Sequence, residues 1–431
     1  MISQEEYRLR RERVLQEIHP GALLLFAAPV SIRNNDVEHE YRQDSDFFYL
    51  TGFDEPQAVL LLRSTAQPSS VMFVQPRDPE RETWDGPRAG VDGAVRDFGV
   101  EQAFPVSELD AKLPELLGGF ERLFYRLGDG PRDERVLGAV QNIKRKTRGR
   151  TLWPNQILEP DSILHEMRLH KSSSEVAVMR KALEITGRSH VELMNTTRPG
   201  MYEYELEGKL RRTFREHGAE RPAYSPIVGS GPNATILHHR RNDRRIQEKE
   251  LVLVDAGCEY GYYASDVTRT FPASGTFTSA QARLYEIVLD AQLAAIEKTG
   301  VGATIDSVHQ AALEVIVDGL IRVGLIEGPR EKALESGSYK TFYMHRTSHY
   351  LGMDVHDVGR YYSSGEPRPL EPGVVITVEP GIYVPLAEQY GEYSGIGIRI
   401  EDDVLVTEAS AEVLSSEIPK TRAEVEQACA R

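Results

Sequence analysis

The sequence predicts an α+β protein in two parts, a smaller α/β domain over residues 1–170 and an α+β domain over residues 171–431. Three observations carry this reading. Strand-like and helix-like segments alternate in the first third, amphipathic helices and antiparallel-type strands segregate in the rest, and 431 residues exceed one ordinary core.

In the first part, MISQEEYRLRRERVLQEI sets Tyr7, Val14 and Ile18 on one helical stripe. Ala22–Ala27, Asp46–Leu50, Ala58–Arg63 and Val71–Val74 are rich in apolar strand formers, and helices are predicted near Ser107–Leu117 and Arg132–Thr147. The aromatics of Tyr41–Leu62 read as core around Thr51-Gly52. Trp84 falls in a polar loop, RETWDGP, where an exposed tryptophan is the better binding candidate. Pro160–Arg168 reads as a helical connector. Ser172-x-x-Glu175 is a capping box opening a helix with Val176, Met179 and Leu183 on one face. Further helices are predicted at 202–217, 279–299 and 304–323, each closing at a glycine, and strands at Val374–Val378 and Gly397–Val406.

Composition bounds the function. The chain is 40% hydrophobic and 27% charged, without a Gly, Pro or Ser tract that would signal disorder. Its longest apolar run, Gly21–Val30, falls short of the roughly 20 residues that span a bilayer. The charged N-terminal stretch lacks the apolar segment of a secretory signal. A formal charge of −15 opposes phosphate binding and argues against nucleic acid. Cys258 and Cys429 make neither a ligand cluster nor a disulfide framework, as a reducing compartment permits. A cytoplasmic protein is expected, with neither nucleic acid nor membrane as partner.

The chemistry collects in four stretches. Leu251–Phe271, LVLVDAGCEYGYYASDVTRTF, reads as a hairpin turning at Tyr260-Gly261, a register that sets Asp255 opposite Asp266 with Cβ atoms about 5 Å apart. Like charges so placed destabilise a sheet and call for a cation, although the hairpin alone leaves open two solvated aspartates. The other stretches are MHRTSHYLGMDVHDVG (344–359), VITVEPG (375–381) and GIGIRIEDD (395–403). On a strand, period two sends His345, Thr347 and His349 to one face and Arg346 and Ser348 to the other. Glu379 ends an apolar strand, and Arg399 and Glu401 share a face opposite Ile398 and Ile400. A carboxylate at the end of a buried strand needs a partner. Asp255, Asp266, Glu379 and Glu401 carry the charge that two divalent cations neutralise. With His349 they form an oxygen-rich donor set suited to Mn²⁺, Co²⁺, Fe²⁺ or Zn²⁺ rather than a thiolate zinc site. Bridging carboxylates would hold such ions roughly 3.5 to 4 Å apart, a spacing used for water activation.

Set in VDAGCEYGYYASDVTRTF, HRTSHYLGMDVHDVG, TVEPGIY and GIRIEDD, these five residues in this order resemble the pita-bread metallopeptidases, most of all the proline-specific aminopeptidases (aminopeptidase P, Xaa-Pro aminopeptidase). The resemblance covers nearly the whole chain, because YRQDSDFFYLTGFDEPQAVLLL looks like that group's N-terminal domain. It implies a curved antiparallel sheet with helices on its outer face, two divalent ions with Mn²⁺ the first candidate, peptides with proline at the second position as substrates, and a homodimer or homotetramer. Carried over by residue, it assigns Asp255 to one metal, Asp266 and Glu401 to bridging both, and His349 and Glu379 to the other. His238 and His356 match histidines lining the cleft, His345 a further active-site histidine, and Tyr383 and Arg399 residues near the bridging glutamate. Arg399 would orient Glu401 and Thr268 would orient Asp266. Glu379 would shuttle the proton to the leaving proline nitrogen. One position departs: the family has HGxSH where this chain has Arg346, which on the strand reading points away from both histidines. Prolidase, a dipeptidase on the same scaffold, is the nearest alternative reading. A catalytically weakened binding module, because of Arg346, is the second.

Overall fold

The computed structural model describes residues 1–430 and divides into two compact units, Ile2–Met167 and the chain from Arg168 onward. Among the described residues no helix is long and apolar enough to cross a membrane.

The N-terminal unit is built on a mixed six-stranded sheet in the order Gln102–Pro105, Ser70–Val74, Val59–Arg63, Ala22–Phe26, Arg122–Phe124, Gln156–Leu158. The three central strands, ALLLF, VLLLR and SVMFV, are apolar runs rather than alternations because both faces are covered. Helices Leu109–Leu117 and Gly130–Thr147 lend Leu113, Leu117, Val136 and Ile143 to the core under the sheet. Helix Gln4–Glu17 forms as its stripe predicts, burying Tyr7 and Val14.

Two predictions here fail. Asp46–Leu50 is not a strand but lies in a helix, Ser45–Thr51. The Asp44 side chain accepts from the Phe47 N–H (2.9 Å), and Gly52, at φ +64°, closes the helix in a conformation a side chain would resist. Every residue of that helix is buried, so its aromatics report burial and not strand propensity. Trp84 sits on a short helix, Pro79–Asp85, capped by Asp78, and is 89% exposed.

The second unit is α+β. Helix Ser173–Thr196 opens with the predicted capping box, both of its reciprocal bonds made. Strands Ile227–Ser230, Leu251–Asp255 and Thr268–Pro272 form one antiparallel sheet, and Val375–Val378, Asp402–Val406 and Ala411–Val413 another. Strand Gly381–Tyr383 pairs with Gly397–Arg399. Helices Ser279–Lys298 and Ile305–Arg322 press Leu284, Val288, Ile316 and Leu320 into a core shared with Val252, Val254, Ile376, Val378, Val404 and Val406. Leu253 faces the other way, against Ile227, Ala234 and Tyr383. Asp255, two residues further along, therefore points to the side away from the helices.

The hairpin turns at Gly261-Tyr262 rather than Tyr260-Gly261, pairing Tyr260 with Tyr263 and Asp255 with Thr268. The register differs from the predicted one by two residues. Period two preserves the face, so Asp266, two before Thr268, still emerges beside Asp255. The space is made by Gly257, where a Cβ would lie 1.7 Å from the Ser265 carbonyl oxygen. Gly257→Ala is expected to cost roughly 3 kcal/mol of stability in this unit. Urea unfolding checks this, and an unchanged midpoint would refute the crowding.

Candidate metal centre

The strand predicted over Gly397–Val406 breaks at Ile400-Glu401, and its partner breaks at Glu379-Pro380. Both pairings keep one register, Val378 with Asp402 and Gly381 with Arg399, which sets Glu379 opposite Glu401 in the gap. A second pair of carboxylates thus faces across a sheet near the first. The Thr268 hydroxyl donates to Glu401 Oε2 (2.6 Å), and the Glu401 N–H donates to the Thr268 carbonyl (3.1 Å), joining the two pairs.

Arg399 ties the cluster together. Its guanidinium donates to Asp255 Oδ2 (2.6 Å), to Thr268 Oγ1 (3.0 Å) and to the Tyr383 hydroxyl (2.8 Å). Arg399 thus reaches Glu401 only through Thr268, and Thr268 serves Glu401 rather than Asp266, a correction to both expected pairings. The reason is the register, which puts Thr268 opposite Asp255 and beside the Glu401 backbone.

Met344–His349 is not a strand. It runs beside Val375–Val378, with the Glu379 N–H on the Thr347 carbonyl (2.8 Å) and the Thr377 N–H on that of His349 (3.0 Å), but its side chains do not alternate. Thr347 turns into the core, its hydroxyl 2.8 Å from His309 Nδ1 and 2.5 Å from the Tyr343 hydroxyl. Arg346 instead lines the same cleft as His345 and His349. The expectation that Arg346 points away is overturned because Thr347 takes the buried position.

His349 donates from Nδ1 to the Tyr350 carbonyl (2.9 Å), which leaves Nε2 facing Asp266 Oδ2 at 3.4 Å and Glu379 Oε1 at 3.6 Å. His345 Nδ1 lies 3.8 Å from Glu379 Oε2, and its Nε2 accepts from the Tyr383 hydroxyl at 2.9 Å. The His356 ring packs edge-on against His349 with centroids 4.4 Å apart, and His238 stands exposed on the lining of the same cleft. All the predicted carboxylates and histidines line one cleft of about 900 Å³, with Arg399; Thr268 and Tyr383 support it from behind.

Sequence reasoning missed three contributors. The Tyr224 hydroxyl lies 2.5 Å from both Asp255 Oδ1 and Asp266 Oδ1, one proton serving two carboxylates. Asp403 Oδ2 accepts from the Asp266 N–H (3.1 Å). His309 anchors Thr347 and so the backbone that carries Glu379. No local pattern marks Tyr224, which reaches the site because Ile227 pairs with Asp255. Asp403 was visible as the last residue of IEDD.

Burial raises the proton affinities of Asp255, Glu379 and Glu401, and their mutual repulsion adds to it; Glu379 is pushed up to about 7 despite His349 and Arg399. Burial alone would lower the His349 imidazolium, but Asp266 and Glu379 outweigh it and raise it to about 9. Ligand atoms of Asp266, His349 and Glu401 all lie within 4.8 Å of one another, and the oxygen-rich set fits a hard or borderline divalent ion. A second group, Asp46, Asp161 and His165 in the N-terminal unit, already holds a cation, the guanidinium of Arg126.

A carboxylate-rich metal site in a pita-bread α+β unit defines a metallohydrolase. The sequence model of Metallopeptidase family M24 matches residues 177–408, and that of the Aminopeptidase P, N-terminal domain matches residues 7–125. The Xaa-Pro aminopeptidase of Escherichia coli is 42% identical over 99% of this chain and 97% of its own length. Human Xaa-Pro aminopeptidase 3 is 34% identical over 100% and 87%. The solved structure of Pseudomonas aeruginosa aminopeptidase PepP superposes with a TM-score of 0.97 at 48% identity, covering 100% of this chain and 98% of that one. A Zn-substituted Escherichia coli aminopeptidase P in complex with product gives 0.96 at 41%, covering 99% and 98%. The chain belongs to metallopeptidase family M24, and it carries the aminopeptidase P type of N-terminal domain.

Because metal displaces protons from His349 and Glu379, its binding at pH 7 is expected to release more than one proton, and affinity to rise with pH up to about 9. Calorimetry in two buffers of different ionisation enthalpy measures this. Binding without proton release would contradict the charge balance described.

Proposed function

We propose that this protein removes an N-terminal residue from peptides whose second residue is proline, as a metal-dependent aminopeptidase. The observation that carries the reading is the gathering of Asp255, Asp266, His349, Glu379 and Glu401 at one cleft in a chain that its Xaa-Pro aminopeptidase relatives match end to end. Asp255 would hold one ion, Asp266 and Glu401 would bridge, and His349 and Glu379 would hold a second. Bound there, two divalent ions, Mn²⁺ before Zn²⁺, Co²⁺ or Fe²⁺, would supply Lewis acidity and a water of lowered pKa.

The chain's own residues do the rest. Glu379, at the end of its strand and facing the cleft, accepts a proton at the carboxylate and passes it to the leaving proline nitrogen. His356 and His238, on the cleft wall, donate to the substrate carbonyl oxygen as it gains charge. Tyr383 holds His345 and Arg399 in fixed relation, so neither swings as the substrate enters. Proline offers a tertiary amide without an N–H, which a site shaped to its ring selects. Residues 1–170 and 171–431 serve as N-terminal and catalytic domains. The exposed side chains of Trp84, Ile32 and Val37 give the N-terminal unit apolar groups for dimer or tetramer contacts. The two cysteines, free and buried, suit a cytoplasmic location.

Metal-stripped protein given Mn²⁺ is expected to release the first residue of Xaa-Pro-Xaa. Cleavage of Xaa-Pro alone would make it a prolidase, and silence on both would favour the weakened module that Arg346 suggests. Glu379→Gln is expected to lower kcat by about 10² or more; near-normal turnover would remove Glu379 from proton transfer.

A further inference from the structure

The floor of the cleft is acidic and is neutralised by metal, but its rim is basic. Arg240 and Arg346 both line it. The Arg346 guanidinium, with a side chain 56% exposed, pairs with Asp306 in the first turn of helix Ile305–Arg322. Asp306 also accepts from the Tyr362 hydroxyl (2.7 Å), and both line the same cleft. Arg240 is exposed, and its guanidinium has no hydrogen-bond or ion-pair partner among the described residues. With Arg346 offset by Asp306 and the floor offset by metal, Arg240 leaves the rim with an uncompensated positive charge.

The backbone beneath both arginines is held. On one side of Arg240, buried His239 Nε2 lies 3.0 Å from Glu203 Oε2. On the other, buried Asn242 accepts from the Val228 N–H (3.0 Å) and donates to the Pro226 carbonyl (3.0 Å). Arg346 lies between His345, which is bonded to Tyr383, and Thr347, which is bonded to Tyr343 and His309. An unpartnered guanidinium on held backbone at a cleft can receive a carboxylate, because its planar fork matches the two oxygens and is pre-organised for them. An exposed pair such as Arg346–Asp306 is worth little by itself, so Arg346 can exchange Asp306 for an incoming carboxylate at small cost.

We propose that Arg240, assisted by Arg346, recognises a carboxylate on the residue that follows the proline, and so makes short acidic-ended peptides the preferred substrates. The proposal rests on the aminopeptidase reading above. The carboxylate is either the C-terminus of a tripeptide or an acidic side chain at that position, since the chemistry is shared.

The test compares three substrates on the Mn²⁺-loaded protein: Xaa-Pro-Leu, Xaa-Pro-Leu-amide and Xaa-Pro-Asp-amide. The free acid is expected to show a KM roughly tenfold below the neutral amide at similar kcat. Arg240→Ala is expected to remove that difference while leaving kcat on the amide unchanged, and Arg240→Lys to restore part of it. A low KM for Xaa-Pro-Asp-amide extends the preference to side chains, and a low KM for the free acid alone confines it to the C-terminus. Competition by Pro-Leu against Pro-Leu-amide gives a readout independent of turnover, and Arg240→Ala is expected to weaken only the former. Equal KM values for all three substrates in the unaltered protein, with all three cleaved, would overturn the rim assignment and leave the aminopeptidase standing. Cleavage of neither would overturn both.

Discussion

The constraint on which this structure depends is the repulsion among buried carboxylates. Two unit charges of like sign about 4 Å apart repel by about 4 kcal/mol at an effective dielectric near 20. The site sets Asp255 beside Asp266, and Glu379 opposite Glu401. Arg399 supplies one fixed positive charge, Tyr224 one shared proton, and Thr268 one directed hydroxyl. These are too few to balance the charge, and the raised proton affinities of Glu379 and Glu401 register the deficit. The residual demand for cations is the driving force for metal binding. Stability and function share this origin: groups that keep the carboxylates together without metal also aim them when metal arrives.

The fold meets that constraint by division of labour. Valines on one face of each ligand-bearing strand lock into the helical layer, and the alternate face is left for chemistry. The strands end or break where the ligands lie, at Asp255, Glu379 and Glu401, so carboxylates emerge where backbone pairing is interrupted. Arg269 closes the rear, buried against Asp402 at 2.8 Å and donating to the Glu401 carbonyl, so the backbone carrying the ligand is fixed from the side opposite the cleft.

Much of this is legible in the amino-acid sequence. The long helices follow from caps and stripes, which are local signals: at the helix start the Ser172 side chain accepts from the Glu175 N–H and the Glu175 side chain from the Ser172 N–H, as their spacing requires. The aspartates were placed on one face despite a register wrong by two, because face depends only on parity. Register itself depends on which two residues tolerate positive φ, and Gly261-Tyr262 was less obvious than Tyr260-Gly261. The opposition of Glu379 and Glu401 was invisible because it needs the partner strand. Arg346 and Thr347 were misplaced for a different reason: alternation was applied to a segment whose geometry is set by the buried contacts of Thr347 with His309 and Tyr343. Ser45–Thr51 failed because burial on all sides erases the helical stripe.

The chemistry therefore rests on a count of cations. Equilibrium dialysis of the metal-stripped protein against Mn²⁺, with bound metal read by elemental analysis, measures that count directly. Saturation at two ions per chain is expected, falling when Glu401→Gln removes the carboxylate assigned to both. Saturation at one ion or fewer in the unaltered protein would contradict the claim that these four carboxylates are held together for a pair of divalent cations.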